Sequence, residues 1–204
     1  MRKDGCNQIF FHGYTRFFPI VEEPWNQGEE CAKIAEVVFE ALNASNCTFK
    51  RMVMGYYGAL SEEFVAQQIE RNIEKLELIG PWPNGAIHLI TMYLNRCDNA
   101  SITLTSHKVS VTQNLFDLLF AKFLECKLYL KYMQGSLDFD PDYLHSLRPD
   151  LQVKLAKDEG KNMLTWKSLI DCRDFFQVKF LGDEVEIFTH NMGLCICGKD
   201  HSMG

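Results

Sequence analysis

The side chains best suited to chemistry gather near the carboxyl terminus: Cys195-x-Cys197-x-x-x-His201, with His190 upstream. Thiolates and imidazoles are zinc ligands, but zinc favours four of them, usually from two spaced pairs. Here one residue separates the pair and no second pair follows. The expectation is an uninvolved tail, with no metal assigned. A Cys-His hydrolase needs a thiol beside a base that a third group orients. Eight cysteines and six histidines always permit such pairs on paper. No local context marks one thiol as activated, so no catalytic residue is assigned. Neither G-x-x-x-x-G-K-[ST] nor G-x-G-x-x-G occurs, which removes the usual glycine-rich cradle for phosphates. Gly55-Tyr56-Tyr57-Gly58 reads as a strand-to-helix turn, and no small-molecule cofactor is expected.

Composition narrows the classes. The chain has 204 residues, 47% hydrophobic and 24% charged, with net charge −6. That suits one folded core and disfavours nucleic-acid binding, which needs a basic face. Met1-Arg2-Lys3-Asp4-Gly5 is charged, but no apolar run of leader length follows, and no apolar run is long enough to span a bilayer. An intracellular protein off the membrane is expected, its cysteines free thiols in apolar positions. Three N-x-S/T triplets, at Asn43, Asn46 and Asn99, then read as unglycosylated.

A periodicity would organise these residues. Short segments alternate apolar and other residues around Met52, Leu76, Ile102, Leu128 and Val153, in steps of 24, 26, 26 and 25 residues. Period two marks a strand with one buried face. Helical patterns lie between. Glu29 to Leu42 carries Ala32, Ile34, Val37, Val38 and Leu42. Ser61 caps a helix with Phe64, Val65, Gln68 and Ile69. Pro83-Asn84 opens one with Ile87, Ile90, Met92 and Leu94. Thr112 caps one with Leu115, Phe116, Leu119, Phe120 and Phe123, and Asp140-Pro141 starts a short one. Helical crossovers of this length make neighbouring strands parallel. The fold class is thus α/β, an irregular leucine-rich-repeat-like array of short parallel strands and helices. The Asn that follows the strand in a regular leucine-rich repeat is missing from every unit, so an open parallel sheet with helices stays equally allowed.

Asp174 to Phe180 and Glu184 to His190 are strand-like, and Leu181-Gly182-Asp183 suits a tight turn. They predict a C-terminal antiparallel hairpin that caps the array. The organisation is one structural domain: an aromatic-rich segment 1–28, the strand-helix array 29–156, the hairpin cap 163–192 and a tail 193–204.

Gln68 to Pro83 contains the pattern Q-x-x-x-N followed by L-x-L-x-G-x-W-P, and Leu164-Thr165-Trp166 precedes the strand pair. In these motifs, over about residues 50–190, the chain resembles the nematode-expanded F-box-associated proteins. The resemblance implies a substrate-recruiting module of a cullin-type ubiquitin ligase, without catalytic residues. The chain departs from that family at its amino end. An F-box has an L-P dipeptide near its start, whereas Phe18-Pro19 leads into Ile20 to Trp25, which is not helical. Direct docking to the ligase scaffold is therefore not expected.

The function expected is that of a protein-binding module. In a stacked sheet, outward residues align into one surface. That row would be Val53, Glu77, Thr103, Tyr129 and Lys154, for a protein or peptide partner. Trp82, in the rigid turn Gly80-Pro81-Trp82-Pro83, is a further candidate, since tryptophan is enriched in hot spots; the plainer reading is a cap on the core. The alternatives are a small intracellular enzyme with a Cys/His site, revealed by a polar pocket converging on one Cys and one His, and a paralogue that lost its docking segment.

Overall fold

The computed structural model describes residues 8–11, 29–44, 48–106, 108–154, 162–171 and 173–191. In chain order the elements are β1 (Gln8–Phe11), α1 (Glu29–Ala44), β2 (Arg51–Gly55), α2 (Ala59–Glu70), β3 (Lys75–Ile79), α3 (Ala86–Arg96) and β4 (Ala100–Thr105). There follow β5 (Ser110–Val111), α4 (Gln113–Leu124), β6 (Leu128–Leu137), α5 (Asp142–Ser146), β7 (Met163–Lys167), β8 (Asp174–Leu181) and β9 (Glu184–Asn191). They form one mixed sheet in the order β1-β2-β3-β4-β6-β9-β8-β7, with β5 beside β6. Pairing is parallel from β1 to β6 and antiparallel among β6, β9, β8 and β7.

The parallel strands lie side by side in chain order, so successive right-handed crossovers stack their helices on one face. Alternation decides what meets them. Met52, Met54, Leu76, Leu78, Ile102, Leu104, Leu130 and Met133 share one buried cluster with Phe64, Val65, Ile90, Leu94, Phe116 and Phe120. The hairpin adds Phe176, Val178, Val185 and Ile187, and β7 adds Trp166. Phe116, Phe120, Trp166 and Phe176 pack mostly edge-to-face, 5.5–6.5 Å between ring centres. Val53 and Phe175 are buried outside this cluster, on the sheet's second face.

Several expectations shift. The fifth unit does not form a strand: Gln152 makes one antiparallel bridge to Trp166, and β9 takes the place beside β6 instead. The partner of Ile102 is Leu130, not Leu128, because β6 starts two residues earlier against β4 and then carries a register shift. In α1 the phase follows Phe39, which is buried and stacks on Phe64 at 4.8 Å; Ile34 and Val37 are 65% exposed. Ser61 lies inside α2, its hydroxyl donating to the Gly58 carbonyl and accepting from Tyr57 N. Thr112 caps α4 as expected, accepting from Leu115 N. The hairpin forms, and Gly182 turns it at φ 68°.

Candidate functional site

Parallel register aligns Val53, Glu77 and Thr103 across β2, β3 and β4. The slip in β6 then puts Tyr132 opposite Thr103, and Tyr129 pairs with Ser101. Lys154 lies outside the sheet, and all three aligned residues are buried. Glu77 accepts from Arg51 at 2.7 Å and from Lys75 at 3.1 Å. Burial pushes its carboxyl up, but the bonds and charges of Lys75 and Arg51 outweigh that and hold it below its usual range. The Thr103 hydroxyl has no partner among the described residues. Tyr132 donates toward Gln134 and Glu186, and burial beside Glu186 and Glu184 pushes its hydroxyl up to about 12. Val53, Glu77 and Thr103 are therefore buried, and of the expected row only Tyr129 and Lys154 reach the surface.

Trp82 is also inside. Its indole N–H donates to the Met54 carbonyl at 3.1 Å, its own carbonyl accepts from Ser106 Oγ at 2.7 Å, and Tyr56 packs against its ring at 5.3 Å. Gly80, at φ 91°, makes the turn that folds the indole inward. Trp82 is thus a plug at the carboxyl end of the parallel strands, out of a partner's reach.

Of the six candidates, Tyr129 and Lys154 are exposed, and Tyr129 lies beside a cavity. A groove of about 320 Å³ opens at the amino end of β6, with Phe123 and Leu128 as apolar lining. Cys126, Tyr129, Asp174 and His190 are among its walls. Cys126, at φ 57°, makes the sharp turn from α4 into β6. Its sulfur lies 3.5 Å from Ser168 Oγ. Ser168 in turn holds the loop to β8, accepting from Ile170 N and Asp171 N and donating its own N–H to the Asp174 carbonyl. That loop exposes Leu169 at 59% and Ile170 at 71%, and Tyr129 in the groove wall is 57% exposed.

No family model, curated protein or solved structure matches the chain.

The chemistry of the groove therefore rests on its geometry. It brings together one cysteine, one histidine and one aspartate, but not as a relay. Asp174 Oδ1 accepts from Asn191 Nδ2 at 2.7 Å, and the Cys126 thiol faces Ser168. Among the described residues no three His, Cys, Asp or Glu side chains could share a metal. Cys195, Cys197 and His201 lie outside the described residues. A second groove, about 360 Å³, lies at the amino ends of β3 and β4 beside Asn72, Tyr93, Arg96 and Asp98. Its polar groups are mostly spent internally: Tyr93 Oη donates to the Glu74 carbonyl at 2.6 Å, and Arg96 donates to the Glu70 carbonyl. No described helix is long and apolar enough to cross a membrane.

Sequence reasoning found Tyr129 and missed Cys126, Leu169, Ile170 and Asp174. The available signal was Leu169-Ile170, an apolar pair in the turn between two strands.

Proposed function

We propose that the chain is a non-catalytic protein-binding module whose partner docks on the groove beside Tyr129. The observation that carries this is the exposed ring of Tyr129 in the wall of a groove lined by Phe123 and Leu128; exposed Leu169 and Ile170 follow Ser168, which contacts the wall residue Cys126. Large aromatic and aliphatic side chains that leave water on docking supply most of the energy of such contacts. The resemblance noted above extends the proposal to recruitment for a ubiquitin ligase, and the parallel units to a degenerate leucine-rich-repeat ancestry. The test is affinity capture with the unaltered chain and with Tyr129→Ala/Leu169→Ser, read by mass spectrometry. A partner lost from the folded variant supports the proposal, and ligase components among the losses support the recruiting role. Identical captures from both chains overturn it.

A second reading, a thiol enzyme, draws on the presence of Cys126 and His190 in one groove. Alkylation of Cys126 by iodoacetamide at neutral pH, no faster than that of an unstructured cysteine peptide, would dismiss it.

A further inference from the structure

The groove carries a charge as well as an apolar floor. Asp174 lines it at the first residue of β8 and spends one carboxylate oxygen on Asn191. Arg173 pairs with Asp171 at 2.7 Å, and Lys127 with Glu125 at 2.9 Å. No cation pairs with Asp174 among the described residues. A half-buried carboxylate with spare acceptor capacity is stabilised most by a donor that brings positive charge. Tyr129 adds an exposed aromatic face to the same walls, which attracts cations as well as apolar groups.

Resting on the docking proposal above, we propose that the groove selects an apolar segment that carries one basic residue. The apolar side chain fills the space over Phe123 and Leu128, and the Lys or Arg head bonds Asp174 beside the Tyr129 ring. The carboxylate sets specificity; Phe123, Leu128 and the Tyr129 ring hold the segment.

The test pans a phage-displayed library of random octapeptides against the unaltered chain, Asp174→Asn, Asp174→Lys and Tyr129→Ala. Asp174→Asn keeps the side chain's shape and its place beside Asn191. Circular dichroism and thermal melting verify that each variant is folded. The unaltered chain should enrich peptides with Lys or Arg near an apolar anchor. Asp174→Asn should lose the basic preference, and Asp174→Lys should replace it with an acidic one. For one selected peptide, replacing its basic residue by norleucine should weaken binding at least tenfold to the unaltered chain and less than twofold to Asp174→Asn. A basic preference unchanged in Asp174→Asn overturns the inference. Apolar peptides with no basic preference, lost in Tyr129→Ala, overturn it but leave the docking groove standing. Failure to enrich any peptide overturns both.

Discussion

The two ends of the parallel strands are built oppositely. At the carboxyl ends, where open α/β sheets ordinarily hold ligands, Trp82 is folded into the core and bonded to Met54 and Ser106. At the amino ends, helices return through tight turns at Asn72 (φ 63°) and Cys126 (φ 57°), which leave grooves beside them. The position that topology favours for a site is spent on stability. The opposite end, with its exposed Tyr129, carries the candidate contact. Site placement by fold type fails when a bulky side chain occupies the loop that would otherwise line the crevice.

Substitutions at the carboxyl end should cost the most stability, those towards the amino end less, and Tyr129 at the groove almost none. Trp82→Ala should cost the most, about 3–5 kcal/mol, in line with large-to-small core changes. Urea denaturation measures it, and a loss under about 1 kcal/mol would break the contrast. Gly135→Ala should follow, at about 1–3 kcal/mol, because an added Cβ would strike the Val109 carbonyl, which accepts from Ser136 N at 3.0 Å.

The amino-end effects are smaller. Glu77 has a lowered carboxyl pKa, so its ion pairs with Arg51 and Lys75, the first residues of β2 and β3, stabilise the fold above about pH 4.3. That contribution fades as pH falls through the folded-state value. Glu77→Gln should be less stable than the unaltered chain at pH 6, with the gap narrowing towards pH 3; a constant gap would count against this charge set. Thr103→Val removes a hydroxyl that is buried without a partner among the described residues. It should be neutral or stabilising by less than about 1 kcal/mol, as read by melting temperature. Tyr129→Ala should move stability by no more than about 0.5 kcal/mol. A larger loss would make Tyr129 a structural residue and remove the contrast between the ends.

What was legible in the sequence followed from short-range periodicity. The strands at 51–55, 75–79 and 100–105 alternate cleanly, and their register set Val53, Glu77 and Thr103 in line. Their burial was not legible, since a strand pattern does not say what lies against its second face. Leu128 and Leu130 share a face, so the two-residue slip in β6 left no trace in the alternation. Val153 suggested a strand, but the Gln152 amide bonds the Leu144, His145 and Leu147 carbonyls at the end of α5 and pins that stretch as a corner. The groove draws on Phe123 to Tyr129 and on Asp174 to Asn191. No local motif can announce a site assembled from segments so far apart.

The register shift in β6 means that Lys131 is passed over between the pairs Ile102–Leu130 and Thr103–Tyr132. Reading the strand without it leaves inside and outside residues in their proper turn, so Lys131 acts as a spacer. A chain shortened by that residue keeps each remaining pair with β4, Ser101–Tyr129 and Thr103–Tyr132 included. The position is thus a place where the strand can change length by one residue while the same side chains still face the helices.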